Sequence, residues 1–145
     1  MNSSIRCLRI VVACACITLI NHPESTHAAV ASTQLVTQLQ DRLGLTEAQV
    51  RGALGALLVF VRERLPEPEF KDLARSIPNA EYIMQDVKLR GIVTGPLDNL
   101  DEYQAALASL GIGEPLAAQV VPAVLDALAA NGLDKEREIL ARAVD

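Results

Sequence analysis

The side chains best suited to chemistry are distributed unevenly along this 145-residue chain. All three cysteines (Cys7, Cys14, Cys16) and both histidines (His22, His27) precede residue 28. Thiolate and imidazole groups supply most nucleophile–base pairs and most protein ligands of zinc, copper and haem iron. From residue 28 onward, the chain therefore has mainly carboxylates, amines and hydroxyls with which to react.

Two groups of carboxylates stand close enough in sequence to be weighed as general acids and bases. Asp98, Asp101 and Glu102 form one group, and Glu67 and Glu69 form the other. Both groups fall where the pattern predicts that helices begin, and carboxylates at such places accept hydrogen bonds from free N–H groups and favour the helix dipole. We therefore interpret them as residues of helix starts, and an enzyme that uses carboxylates alone is the least favoured alternative.

A catalytic serine–lysine pair is the remaining arrangement of reactive groups. No local motif brings a serine and a lysine together, and the glycine pairs lack the residues that a phosphate-binding loop needs. We therefore predict that the protein is not an enzyme and has no catalytic, cofactor-binding or metal-ligating residues. The serines and lysines considered are Ser32, Ser76, Ser109, Lys71, Lys88 and Lys135.

The N-terminus has the pattern of a cleavable secretory signal peptide. Two arginines supply its positive charge, residues 10–20 form an uncharged and mostly apolar run, and small residues stand at 29–31. The run is too short to cross a membrane, which takes about 20 residues. We predict a signal peptide over residues 1–31, cleaved after Ala31 or, as second choice, after Ala28, and a periplasmic or secreted product.

Lipid attachment at Cys14 is the alternative reading of this N-terminus. The residues before Cys14 fit a lipid-attachment motif loosely, but the apolar run continues past it to Ile20, so we favour the cleaved signal. Residues 32–145 suffice for one hydrophobic core and are too few for two comfortable domains. We therefore predict a single domain of unknown function there.

Charge narrows the classes of partner. Removing residues 1–31 takes away Arg6, Arg9 and Glu24 and leaves 11 basic and 17 acidic residues, a net charge of −6. A net acidic domain is poorly suited to nucleic acid and to anionic membrane surfaces. We expect no nucleic-acid partner and no membrane association of the mature form, whereas a protein partner stays open.

Helical periodicity recurs along residues 33–144, and strand patterns do not. Apolar stripes at spacings of three and four predict six to seven helices, most of them followed by a glycine. We therefore predict an all-α fold, a compact helical bundle, with residues 91–97 as its main loop. The predicted helices begin near Thr33, Thr46, Pro68, Asn79, Asp98, Glu114 and Asp134.

The helix that begins at Thr46 is predicted to be the central one, because it is apolar on nearly all sides. Thr46 and Gln49 have the spacing of a capping box. Gly52 and Gly55 each lower helix propensity by about 1 kcal/mol, which predicts the close approach of a neighbouring helix. Pro122 interrupts another apolar helix, which predicts a kink there or a restart of the helix near Val121.

The chain resembles itself when shifted by 67 residues. Residues 43–77 then align without a gap with residues 110–144; both segments begin Leu-Gly and both have Leu-Ala-Arg near the end. We predict two related helical hairpins that pack about a pseudo-twofold axis, each burying the other's apolar face.

Two stretches also resemble a known family. They are LVTQLQDRLGLTEAQVRGALGALLVFVRERLPEPEFKDLARSIPNAE (residues 35–81) and LGIGEPLAAQVVPAVLDALAANG (residues 110–132), which are similar to the VcgC/VcgE proteins, an uncharacterised bacterial family (domain of unknown function 2780). The resemblance implies a small exported α-helical protein and assigns no site residue. Relatives tend to have a glycine-rich middle, where this chain has GIVTGPLDNLDEYQAAL (residues 91–107).

Three functions remain open on these grounds. The favoured hypothesis is a non-enzymatic exported helical module that binds a protein partner. The first alternative is a carrier of a small apolar ligand held in a groove between helices, which the aliphatic composition favours. The second alternative is the carboxylate-only enzyme.

Overall fold

The computed structural model describes residues 24–77 and 79–145, with side-chain surroundings from residue 34 onward. Most of the predicted signal peptide, residues 1–23, lies outside the described residues. Within the described ranges the chain forms seven helices and no strand, which confirms the all-α fold. The helices are α1 (Glu24–Leu43), α2 (Glu47–Arg62), α3 (Glu67–Ser76), α4 (Ala80–Leu89), α5 (Leu100–Ser109), α6 (Glu114–Ala130) and α7 (Asp134–Val144).

Helix α2 lies at the centre of the bundle, as predicted. All its residues from Gly52 to Val61 are buried, and α1, α3, α4, α5 and α7 all pack against it. Burying a leucine or valine side chain stabilises a fold by about 1.5–3 kcal/mol. The apolar run of α2 therefore stabilises the fold along its whole length and forms the surface on which five helices pack.

Helix α1 begins at Glu24, well before the predicted start near Thr33. The prediction was too late because the apolar stripe begins only at Leu35. The three alanines between residues 28 and 31 favour helix, and neither glycine nor proline interrupts residues 24–43, so the helix extends upstream of its stripe. Both predicted cleavage positions fall within α1.

The helix caps agree with the prediction at α2 and differ at α5. Thr46 Oγ1 accepts the N–H of Gln49 at 3.3 Å and Gln49 Oε1 accepts the N–H of Thr46 at 3.0 Å, which confirms the capping box. At α5 the cap is Asn99, not Asp98: Asn99 Oδ1 accepts the N–H of Glu102 at 2.9 Å. Asp98 instead donates its N–H to the Glu102 carboxylate at 2.7 Å. Asparagine and aspartate are equally good caps, so the sequence could not choose between neighbours.

Two other helix ends differ in detail from the prediction. Leu65 continues the helical spacing of Leu54, Leu58 and Val61, which predicts that α2 reaches it; the helix instead ends at Arg62, and Leu65 lies in the turn that follows. The conformation of a residue before proline is biased away from helix, which favours an end ahead of Pro66. Asn79 holds the cap position of α4, but its φ is +55° and its side chain makes no capping hydrogen bond.

The two glycines of α2 lower its helix propensity, and the absence of their side chains lets neighbouring groups lie close to the α2 backbone. A Cβ on Gly55 would lie 2.8 Å from the carbonyl oxygen of Ile83 and 2.7 Å from Val87 Cγ1, so α4 meets the α2 backbone here. A Cβ on Gly52 would lie 2.7 Å from Leu110 Cδ2. The prediction of a neighbouring helix is confirmed at Gly55, and at Gly52 the neighbour is a single leucine side chain.

Helix α6 runs through Pro122 without a restart, so the predicted restart near Val121 is wrong. Proline removes one N–H from the helix, and the carbonyl of Ala118 loses its partner. Both Ala118 and Pro122 are exposed, whereas Ala123 and Val124 are buried. The helix tolerates the proline because water can reach the carbonyl that it leaves free.

The two segments that align in sequence share an order of elements, and a similar bend precedes the long helix of each. In each, a glycine with positive φ (Gly44 at +64°, Gly111 at +76°) precedes a long helix and then a short one. The bend between residues 34–43 and α2 is 107°, and the bend between α5 and α6 is 110°. Helix α1 packs on α6, α5 packs on α2, and α3 packs on α7.

In the described ranges no single helix is long and apolar enough to cross a membrane. The two bent helix pairs, residues 34–43 with α2 and α5 with α6, reach the required length and hydropathy only when the two helices of a pair are taken together.

Candidate functional site

A groove of about 760 Å³ runs between α3 and α4 and past the end of α2. Its floor is apolar and its rim is charged, which is the usual composition of a binding site. The floor consists of Leu65, Phe70, Ala74, Ile77, Ala80 and Met84, and the rim carries Arg62, Glu67, Lys71, Arg75, Asn79 and Glu81.

Helix α3 forms one wall of the groove through the spacing of its residues. Phe70 and Ala74 are four residues apart and therefore lie on one side of the helix. Glu67, Lys71 and Arg75 also recur every four residues and form a charged row beside them. The charged row extends over about 12 Å of the helix, and the apolar row beside it extends over about 6 Å.

Helix α4 forms the opposite wall, and its place depends on α2. Ala80 and Met84 are buried and form the α4 part of the groove floor, and Glu81 is exposed at the rim. Gly55 lets α4 approach the α2 backbone at Ile83, one residue before Met84. The missing side chain at residue 55 therefore sets where this wall stands.

The cations of the rim differ in how they are paired. Lys71 Nζ lies 2.8 Å from the Glu67 carboxylate, and this hydrogen bond holds the pKa of Glu67 below its usual value. The Arg62 guanidinium lies 5.7 Å from the centre of the Phe70 ring, within the range of a cation–π contact. Arg62 makes no ion pair with any carboxylate of the described residues.

Helix α7 holds the outer side of α3 through two cross-helix ion pairs. Lys135 Nζ lies 2.7 Å from Asp72 Oδ2, and Arg142 Nη2 lies 3.0 Å from Glu69 Oε2. The hydrogen bond from Lys135 is the main cause of a lowered pKa at Asp72. Arg75 contacts the same carboxylate at the longer distance of 3.3 Å, and its side chain is 77% exposed. Lys135 is therefore the first partner of Asp72 and Arg75 is the second.

A smaller hollow of about 240 Å³ lies on the other side of α4, against α1 and α2. Tyr82 stands at its edge and is 65% exposed. Arg51 lines the same hollow and is paired with Glu47. This hollow has less room and fewer apolar groups than the α3–α4 groove, so we take the groove as the candidate site.

Arg64 fixes the loop between α4 and α5. Its guanidinium donates to the carbonyl oxygens of Asp98 at 2.9 Å and Leu97 at 3.4 Å, and it lies 3.9 Å from the centre of the Phe60 ring. Val93 and Leu97, two residues of this loop, have buried side chains. The predicted loop is confirmed, and its contacts tie it to the core.

Three of the five carboxylates considered from the sequence have local partners. Glu67 and Glu69 pair with different cations, and Glu102 accepts the N–H of Asp98. Ser76 and Ser109 donate their hydroxyls to backbone carbonyls at 3.4 Å and 2.6 Å. The described residues also contain no group of three metal-binding side chains.

The phenol of Tyr103 is a buried titratable group outside the groove. Its ring packs against Phe60 with centroids 5.5 Å apart, and within the described residues its hydroxyl has no hydrogen-bond partner. Burial raises the pKa of Tyr103 far above its usual value, so the phenol stays protonated at neutral pH. Its contribution is the apolar contact of its ring.

Sequence reasoning named none of the groove residues as a site. The available signal was the charged row Glu67, Lys71 and Arg75 beside Phe70, which on its own looks like an ordinary solvated helix face. The family model described as protein of unknown function VcgC/VcgE matches residues 17–143. The chain belongs to the VcgC/VcgE family. No curated protein and no solved structure matches the chain. The groove of this VcgC/VcgE protein lies wholly within the matched residues.

Proposed function

We propose that this protein is a non-enzymatic exported helical module that binds a protein partner in the α3–α4 groove. The observation that carries the proposal is the groove itself. It has a volume of about 760 Å³, it is open to solvent, and it has an apolar floor and a charged rim. Amphipathic helices dock in grooves of this kind with their apolar face inward and their outer face in solvent. The predicted signal over residues 1–31 would deliver the module to the periplasm or the exterior.

We further propose that residues 43–77 and 110–144 are two copies of one structural unit. Each segment has a glycine with positive φ near its start, Gly44 or Gly111, and similar bends of 107° and 110° lead from the preceding helix into each segment, which supports this. Helix α4 lies between the two segments and packs on α2. The groove is thus formed where an added helix lies beside one of the two units.

A carrier of a small apolar ligand is the second candidate, because the groove volume falls within the usual range of about 300–1,000 Å³ for ligand sites. Such sites enclose most of their ligand, and this groove is open along its side, which favours a partner helix. Native mass spectrometry of freshly purified protein tests the carrier directly. A ligand-free mass would remove it.

The test of the proposed function is a pull-down from periplasmic extract with a groove variant and a matched control. Ala74→Arg places a long charged side chain across the groove floor. Ala141→Arg makes the same change at the corresponding position of α7, which does not line the groove. We expect the native protein and Ala141→Arg to recover the same partner and Ala74→Arg to lose it.

Circular dichroism must show the same helix content in both variants for the comparison to hold. Equal recovery of the partner by both folded variants would place the binding surface elsewhere. Recovery of no partner by the native protein, together with a monomeric mass, would count against a binding module altogether.

A further inference from the structure

We infer that the occupant of the α3–α4 groove is an amphipathic helix whose apolar stripe is bordered by carboxylates along the edge that faces α3. This inference rests on the proposed function and adds the chemistry of the partner. It is argued from charge complementarity, because the two edges of the groove differ. Arg62, Lys71 and Arg75 stand along the α2–α3 edge, whereas the α4 edge carries Glu81.

The charge of this edge departs from that of the rest of the domain. Residues 32–145 have a net charge of −6, which repels an acidic partner over most of the surface. Among the side chains that line the groove along the α2–α3 edge, three cations stand against one carboxylate, Glu67; Asp72, which contacts Arg75, lies outside the lining. An acidic partner is therefore attracted to this edge in particular, and close approach lets the pairing select it.

Arg62 is the cation most available to a partner. It makes no ion pair within the described residues, although its charge is one of the lesser causes of the lowered pKa of Glu67. Its guanidinium lies 5.7 Å from the ring centre of Phe70, the aromatic residue of the groove floor. A guanidinium without an ion pair can bind a planar carboxylate through two parallel hydrogen bonds. Arg62 thus places an unpaired donor directly beside the apolar contact surface.

Arg75 marks the other end of the same edge. Asp72, its carboxylate neighbour, is held more closely by Lys135, at 2.7 Å against 3.3 Å for Arg75. Arg75 can turn toward a partner while Asp72 keeps its ion pair with Lys135. The row from residue 67 to residue 75 is about 12 Å long, which corresponds to roughly two turns of a partner helix.

The experiment uses two synthetic helical peptides with the same leucine stripe. One has glutamates and the other has lysines along one edge of the stripe, and binding to the purified protein is measured by fluorescence anisotropy at low and high salt. We expect the glutamate peptide to bind about tenfold or more tightly than the lysine peptide. The difference should shrink at 1 M salt, where the screening length falls to about 3 Å.

Two double variants test the residues. Arg62→Glu with Arg75→Glu should reverse the preference toward the lysine peptide. Arg90→Glu with Arg137→Glu makes the same change of net charge on exposed residues outside the groove, and it should leave the preference as it is. Ala74→Arg should weaken the binding of both peptides.

The outcomes separate this inference from the proposed function. Equal binding of both peptides that Ala74→Arg abolishes would overturn the charge selectivity and leave the groove as a helix site. If neither peptide binds, but the pull-down still recovers a partner that Ala74→Arg loses, the claim of a helical occupant would be wrong and the proposed function would stand. Binding of sodium oleate and of neither peptide would overturn both the inference and the protein partner in favour of a ligand carrier.

Discussion

Helices α2 and α6 hold corresponding places in residues 43–77 and 110–144, but their outer faces differ. Where α2 has Gly52 and Gly55, α6 has Gln119 and Pro122. Both glycines are buried, beneath Leu110 and α4 respectively. Gln119 and Pro122 are exposed.

The difference shows how one covering helix changes which residues a position accepts. Where α4 covers α2, residue 55 is a glycine, because the backbone carbonyl of Ile83 occupies the space that a Cβ would need. On the open face of α6 the chain accepts a proline, because water reaches the unpaired carbonyl. Helix α4, which packs on α2 and not on α6 among the described helices, is also a wall of the candidate groove. The asymmetry between the two segments is therefore where the candidate site arises.

The largest expected effect is at Gly55. In Gly55→Ala the new Cβ meets the Ile83 carbonyl and displaces α4; overpacking costs about 1–3 kcal/mol, and contact with a backbone atom belongs to the upper part of that range. The gain of about 1 kcal/mol in helix propensity offsets part of this cost, so the free energy of unfolding should fall by about 1–2 kcal/mol. Urea denaturation measures it, with Gly95→Ala, which has open space at its Cβ, as a control expected within about 0.5 kcal/mol of the native protein. Undiminished stability of Gly55→Ala would show that α4 does not approach α2 as described.

The opposite sign is expected at the corresponding position of α6. Pro122→Ala should raise the free energy of unfolding by about 1–2 kcal/mol, because it restores an N–H donor to the carbonyl of Ala118 inside the helix. The gain is reduced by the greater freedom of the unfolded chain. Pro115→Ala, in the first turn of the same helix, should bring no gain, since no intrahelical bond is restored there. A Pro122→Ala variant less stable than the native protein in thermal denaturation would contradict this account.

The smallest effect is expected at Gly52. A Cβ there meets only the end of the Leu110 side chain, which can move aside, so the gain in helix propensity nearly offsets the contact. Gly52→Ala should change the free energy of unfolding by less than about 1 kcal/mol in either direction. A loss as large as that of Gly55→Ala would show that Leu110 is as fixed as a backbone atom, and the distinction between the two glycines would fail.

The sequence predicted those features of the fold that short-range physics governs. The capping box at Thr46, the loop after α4 and the central place of α2 are set by neighbouring residues or by the apolar content of a single helix. The start of α1 and the cap of α5 were missed because several adjacent residues satisfy the same local rule. The sequence also predicted that a neighbouring helix approaches closely at Gly55, since a glycine that lowers helix propensity indicates such a neighbour.

The candidate site could not be predicted in this way. Phe70 and Met84 belong to different helices, and their meeting depends on the angle at which α3 and α4 leave the α2 core. The Glu67–Lys71 ion pair follows from a spacing of four residues within one helix, but the sequence could not show that Arg62 makes no ion pair and lies over Phe70. The contact of α3 with α4 and the surroundings of Arg62 depend on distances between different helices, which periodicity does not relate.

The sequence by itself determined the helical class, most helix ends, the family and the absence of cysteine and histidine after residue 27. It did so because caps, stripes and composition act over a few residues. Only the tertiary structure placed α4 over Gly55 and opened the groove beside it. Close packing requires atoms far apart in sequence to fit together, and which helix covers which face depends on that fit.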